Sequence, residues 1–206
     1  MLTDGTLRLS PKTGRPSLGR RLEDAEGEKS CCPNRAVDAI LTCMAQPQIR
    51  ILTAVDRDAA LTVINTAARW YREFLPPEEF HDPEMSPAQW EAEAQRMRWY
   101  GAFVGEALVG VMGLEYVKDV ALLRHAYVLA EYQREGVGTR LRKHLEAQIQ
   151  GVRRIIVGTY RENYKARQMI ERAGYSLSSD SETILRTYYA IPEDRLKSSV
   201  TYERSL

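Results

Sequence analysis

From residue 48 onward the apolar positions repeat at two periods, and the switches between them predict an order of elements. Ile49-Arg50-Ile51-Leu52 alternates as a strand does. Leu61, Ile64, Ala68, Tyr71 and Leu75 form a stripe at helical spacing. Asp56 or Asp58 can cap that helix, and Leu75-Pro76-Pro77 ends it. Ser86-Pro87-Ala88-Gln89 is a second start, with a cap, a first-turn proline and a capping-box Gln. It predicts a helix to about Arg98. Strands at 100–104 and 107–115 flank Gly105-Glu106, a hairpin signal, and 120–129 reads as a third. A helix begins near Thr139 with Leu141, Leu145 and Ile149 on one stripe. A strand at 154–158, a helix at 163–173 and a strand at 184–190 complete the order βααβββαβαβ, a mixed α/β domain.

Residues 1–47 lack that periodicity. Gly, Pro, Ser, Arg and Glu dominate through Asn34, and 36–44 is the only apolar patch, so a flexible extension with at most a short helix is expected. Met44 is a second place where translation could start. The folded domain is expected over 48–206. Composition is that of an ordinary globular protein, 44% hydrophobic and 28% charged. A formal net charge of +1 supplies no global field for nucleic acid or an acidic membrane. The tail cations Arg15, Arg20 and Arg21 are offset by Glu23, Asp24, Glu26 and Glu28, which argues against DNA as a partner. No apolar run approaches the roughly 20 residues that span a bilayer, and the N-terminus lacks a signal-peptide layout. Cys31, Cys32 and Cys43 are odd in number and have no flanking His, so neither a disulfide framework nor a metal site is expected, and the cytoplasm is the expected compartment.

The densest chemical signal is Gln133-Arg134-Glu135-Gly136-Val137-Gly138-Thr139, between the apolar run at 126–129 and the Leu141 helix. Glycines let backbone N–H groups approach a ligand, and a helix N-terminus adds unpaired donors and positive dipole, so the stretch suits an anion. A dinucleotide loop would need a third glycine where Leu141 stands, and an NTP loop would need a Lys after Gly138. The loop by itself remains compatible with a tight turn.

Gln-x-x-Gly-x-Gly ahead of a helix resembles the pyrophosphate-binding motif of the GNAT superfamily of N-acetyltransferases. Asn163 to Tyr175 resembles a second motif of that family, Asn-x-x-Ala, a helix, then Gly-Phe/Tyr. The resemblance covers about residues 48–190. It implies a mostly antiparallel central sheet flanked by helices, with a splayed strand pair holding acetyl-CoA. Gln133 would open the cofactor-binding loop, and backbone amides of Arg134, Glu135, Gly136, Val137, Gly138 and Thr139 would hold the pyrophosphate. Backbone groups of Tyr127 and Val128 would pair with the pantetheine arm, and the Val128 N–H would polarise the thioester carbonyl. Asn163 would bond the pantetheine or help place the amine, and Ala166 would also meet the cofactor. The basic run 140–144 would form a solvated face near the adenosine 3′-phosphate. The partners implied are acetyl-CoA and an amine acceptor, and the family carries the expectation of a homodimer.

Many members carry Tyr seven residues after the Asn, and here that position is Ile170. Its absence keeps open a second reading, a non-catalytic acyl-CoA-binding module. Tyr164 and Tyr160 lie near the same end of that helix as alternative acids. The ammonium must lose a proton before attack, and Glu115 and His125, on the strands beside the implied cofactor edge, are the proton acceptors to test. His81 lies between the first two helices, in the region that shapes the acceptor pocket in this family. Trp70, Tyr71 and Trp90 read as packing residues, with a place for one of them in the pocket lining.

Overall fold

The computed structural model describes residues 46–189 and 191–206. The extension expected at 1–47 therefore lies outside the described residues, apart from Gln46 and Pro47.

β1 (Gln48–Ile51) is followed by a 3₁₀ turn and α1 (Arg57–Ala68), which tightens into 3₁₀ geometry over Arg69–Glu73. α2 is Pro87–Ala94, with the Ser86–Gln89 capping box formed as the sequence predicts. Then come β2 (Met97–Val104), β3 (Ala107–Val117), β4 (Val120–Val128), α3 (Val137–Glu146), β5 (Arg154–Tyr160), α4 (Tyr164–Arg172), β6 (Ser176–Leu177), α5 (Ser181–Tyr188), α6 (Glu193–Leu196) and β7 (Ser199–Ser205). The strands form one sheet in the order β1-β2-β3-β4-β5-β7-β6. Every neighbouring pair is antiparallel except β4 with β5.

Alternate residues of the strands face two helical layers. Ala121, Leu123 and Ile155 pack with Leu141, Leu145 and Ile170 of α3 and α4. Leu108, Val111 and Tyr127 pack on the opposite face with Ala60, Leu61 and Ile64 of α1. Val120, Leu122 and Ile156 meet Ile184 of α5 on that same second face. Helix α3 lies close on the sheet because Gly110 faces it. A Cβ there would sit 3.2 Å from Leu141, Val128 and Val137 at once.

Two expectations are corrected. The second helix ends at Ala94 rather than Arg98, because Met97 and Trp99 are buried while Arg98 is exposed, a period of two that belongs to β2. The segment expected as a strand at 184–190 is mostly helix α5. Asp180 accepts a hydrogen bond from Thr183 N–H at 3.0 Å, and Ile184, Leu185 and Tyr188 lie on one helical face. The last strand is β7, whose Val200 and Tyr202 are buried and whose ladder closes on β5.

The sheet opens between its two parallel strands. β4 pairs with β5 only from Val120↔Arg154 to Leu123↔Val157. Beyond Leu123 a bulge interrupts the β3–β4 register, so that His125 and Ala126 together oppose Met112. His125 takes the left-handed conformation there, with φ 52°. An extra residue bends a strand and increases its twist. From that point β4 leaves β5, and a cavity of about 190 Å³ occupies the gap.

Candidate active site

The Gln133–Thr139 loop leaves β4 immediately after the gap. Arg134 and Gly136 both have positive φ, 68° and 80°, a backbone path that turns amides toward one side. Gly136 is the N-cap of α3 and no side chain caps that end. Arg140 N–H donates to Gly136 C=O at 2.9 Å, the first bond of the helix, so the amides of Val137, Gly138 and Thr139 have no partner within α3. Three N–H groups and the helix dipole thus converge on an uncapped terminus, an arrangement suited to a pyrophosphate. The side chains of Arg134, Glu135 and Thr139 are exposed. Gln133 has a different task. Its amide donates to Val128 C=O at 2.9 Å and ties the loop to the end of β4.

Antiparallel pairing decides which β4 backbone groups reach the gap. Leu129 N–H donates to Val109 C=O at 3.0 Å, on the β3 side. By the alternation of the ladder, the N–H and C=O of Val128 point away from β3. The Val128 carbonyl is taken by Gln133, and its N–H faces the splay. Tyr127 pairs with Val111, so its backbone belongs to the β3 ladder and it contributes its ring to the cavity.

On the α3/α4 side the cavity is lined by Asn163, Ala166, Met169 and Ile170. Asn163 is buried and caps α4, its Oδ1 accepting from Ala166 N–H at 3.1 Å. On the other side it is lined by Tyr71, Glu84, Tyr127, Tyr160 and Arg195. Tyr71 packs on Tyr160 and Tyr127 with centroids 5.2 and 6.1 Å apart. Glu84 receives Arg195 Nη1 at 3.0 Å and Tyr127 Oη at 3.3 Å. Burial, helped by Glu84, pushes the Tyr160 phenol up to about 12.

The bulge places His125 on the cavity wall against a charged cluster. Its ring packs at a tilt of 35° against Trp99, which stacks in turn on Trp90 of α2, and so α2 brings Glu93 to it. His125 Nε2 lies 3.7 Å from Glu93 Oε2, too far for a direct hydrogen bond, and both atoms are buried without a hydrogen-bond partner among the described residues, although Arg124 Nη1 lies 3.3 Å from the same carboxylate oxygen. Burial drives the His125 pKa below its ordinary value, Glu93 opposes the shift and Arg124 reinforces it. Burial also resists ionisation of Glu93, yet His125, Arg124 and Arg96 together hold its carboxyl down at about 2.

Glu115 and Tyr164 stand elsewhere. Glu115 is buried and faces Arg124 at 2.6 Å and Arg96 at 3.5 Å, and it does not line the cavity. Glu115→Gln would strip a buried guanidinium of its nearest counter-charge. It is expected to lower unfolding free energy by about 3 kcal/mol, read by urea titration, with acetyl-CoA binding retained. Tyr164 is 58% exposed and packs against Trp70 outside the cavity, whereas Tyr160 lies inside it.

The sequence model of the Acetyltransferase (GNAT) family matches residues 64–175, more than half of the chain. The chain belongs to this family. As a GNAT protein it is an acyltransferase, and acetyl-CoA is its co-substrate. No curated protein sequence matches it significantly. Among solved structures it is similar in fold to the PaiA N-acetyltransferase of Thermoplasma acidophilum in complex with coenzyme A. The identity is 17%, covering 78% of this chain and 99% of that one, with a TM-score of 0.61. An acetyltransferase from Thermus thermophilus is 18% identical over 79% of this chain and 99% of its own, TM-score 0.60. The ribosomal-protein-S18-alanine N-acetyltransferase of Escherichia coli is 18% identical over 77% and 93%, TM-score 0.55. No helix among the described residues of this GNAT protein is long and apolar enough to cross a membrane.

Sequence reasoning missed Glu84 and Arg195. Glu84 sits in a run of acids that reads as a solvated loop, and Arg195 comes from a four-residue helix. One signal was present: Asn65 interrupts the apolar stripe of α1. Its side chain clamps Met85, donating to Met85 C=O at 3.0 Å and accepting from Met85 N–H at 2.9 Å. Asn65→Ala is expected to loosen the loop that carries Glu84. In steady-state kinetics KM for the acceptor should rise several-fold while KM for acetyl-CoA stays constant.

Proposed function

We propose that this GNAT enzyme transfers the acetyl group of acetyl-CoA directly to a primary amine of a small molecule or peptide, with both substrates bound together. One observation carries the reading. A single cavity passes through the gap between β4 and β5, with the Asn163–Ile170 helix on one side and Glu84, Tyr127 and Tyr160 on the other. A thioester entering from the α4 side and an amine entering from the α1 side would meet within it.

The loop amides of residues 134–139 would hold the pyrophosphate, which places the pantetheine arm along the unpaired edge of β4. Tyr127 supplies a ring wall, and the Val128 N–H supplies a fixed donor for the oxyanion that forms on attack. Neutral His125 takes one proton from the acceptor ammonium, and the imidazolium formed is stabilised by Glu93. The freed amine attacks the thioester carbon. The tetrahedral intermediate collapses with loss of the CoA thiolate; Tyr160, protonated at neutral pH, donates to that sulfur, and the phenolate takes the second proton of the attacking nitrogen, which leaves amide, thiol and protonated His125. This phenol enters from β5 rather than from α4, where Ile170 is buried against the core. Glu115 serves by holding Arg124.

Initial velocities measured with both substrates varied test the order of events. Direct transfer gives intersecting double-reciprocal lines and no acetylated protein. Parallel lines with acetyl found on the protein would contradict it.

A further inference from the structure

The acceptor end of the cavity carries charge that neither the cofactor site nor the proton transfer uses. Glu84 is its one lining carboxylate among the described residues, with a side chain 8% exposed. The rings of Tyr71, Tyr127 and Tyr160 line the same space, and aromatic rings attract cations. Glu84 keeps accepting capacity. Oε1 receives Arg195 Nη1 and the Tyr127 hydroxyl, while Oε2 receives only Arg195 Nη2 at 3.4 Å. A carboxylate offers about four lone-pair positions, so a further donor can be accepted without breaking the existing pair.

Each lining cation is already paired with a carboxylate. Among the described residues, Arg124, Arg142 and Arg195 line the cavity. Arg124 is held by Glu115 at 2.6 Å, Arg142 by Glu146 at 2.6 Å, and Arg195 by Glu84 at 3.0 Å. Arg195 Nη2 also lies 2.9 Å from His81 Nδ1, and its Nε is buried without a partner. A substrate carboxylate would meet guanidinium groups whose charge Glu115, Glu146 and Glu84 already offset, among tyrosine rings that attract cations and not anions. An ammonium at Glu84 Oε2 meets both an anion with accepting capacity and those rings.

Resting on the acetyl-transfer reading above, we propose that Glu84, within the cage of Tyr71, Tyr127 and Tyr160, binds the acceptor ammonium, so that the acceptors are cationic alkylamines without an α-carboxylate. Glu84 is thus the specificity-determining residue of the acceptor end, and His125, which lines the same cavity, receives the proton.

Pentylamine and 2-aminohexanoic acid differ only in the α-carboxylate and make the discriminating pair. Thiol release from acetyl-CoA is followed for both with wild-type enzyme and with Glu84→Gln. The wild type is expected to favour pentylamine by at least about tenfold in kcat/KM. Glu84→Gln is expected to raise KM for pentylamine by about tenfold to a hundredfold, with KM for acetyl-CoA unchanged. The wild-type comparison stands even where Glu84→Gln does not fold, and Glu84→Asp, which keeps the charge, should retain the preference. Equal or better use of the amino acid, or an unchanged pentylamine KM in folded Glu84→Gln, would overturn the assignment while leaving acetyl transfer intact. Failure of the wild type to acetylate either compound, together with turnover of an anionic amine, would also overturn it. Failure with every amine would instead remove the acetyl-transfer reading on which it rests.

Discussion

Replacing His125 with Asn is expected to lower kcat by about two to four orders of magnitude, the usual worth of a positioned proton acceptor. KM for acetyl-CoA should not change, because the loop and the α4 side of the cavity are untouched. Asn suits this test because residue 125 has φ 52°, and Asn tolerates the left-handed region better than most side chains. The pH dependence follows from the environment. Burial is the main cause lowering the His125 pKa, with Glu93 opposing it and Arg124 adding to it. The imidazole is therefore neutral at pH 7 and able to accept a proton, and the acid limb of kcat should fall below the ordinary histidine value of 6.5. Stability shares the sign. A group harder to protonate when folded favours the native state fully above the unfolded pKa, and that contribution is lost as pH falls from about 6.5 toward the folded value. In His125→Asn both the acid limb of kcat and this part of the acid destabilisation should disappear. A variant that keeps wild-type turnover would remove His125 from the mechanism.

Replacing Gly136 with Val is expected to weaken acetyl-CoA binding by roughly a hundredfold, the worth of one or two charge-assisted hydrogen bonds. Gly136 has φ 80°, which a β-branched residue adopts only under strain. A Cβ there meets nothing within 4 Å, so the core does not resist the added bulk. The cost falls on the loop path that presents the amides of Val137, Gly138 and Thr139. Calorimetry should show the increase in Kd, and the thermal shift given by acetyl-CoA should shrink in parallel, as required of a ligand that binds the folded state. An unchanged Kd would place the pyrophosphate elsewhere.

The parts of this site that are legible in the sequence are those encoded locally. The loop at 133–139 announces itself because a positive φ needs Gly136 and a helix start follows at once. Asn163 is legible because a cap and its helix are contiguous, and the capping box at Ser86 and the hairpin at Gly105 are visible for the same reason. The stretch 184–190 reads as a strand because Ile184, Leu185, Tyr188 and Tyr189 satisfy either period over so short a run. Asp180, four residues upstream of Ile184, decides for the helix. β7 is hidden because it is set by pairing with β5, far earlier in the chain. The acceptor end is the least legible. Glu84 becomes a cavity residue only when Asn65 clamps Met85 and α6 delivers Arg195. The His125 bulge is invisible for a like reason, since it arises from a register shift against β3.

The resemblance puts the cofactor edge of β4 at Tyr127 and Val128 together. Ladder alternation separates them: the Val128 N–H faces the splay, while Tyr127 presents its ring. Removing the oxyanion donor should therefore follow position 128 and not position 127.

The most direct measurement is release of free CoA thiol from acetyl-CoA on addition of a primary alkylamine, with the amine product weighed by mass spectrometry. Stoichiometric thiol and acetylated amine are expected, both abolished without the amine and strongly reduced in His125→Asn. Tight acetyl-CoA binding with no thiol released to any amine would contradict it, and would leave a folded cofactor site without the transfer assigned to it.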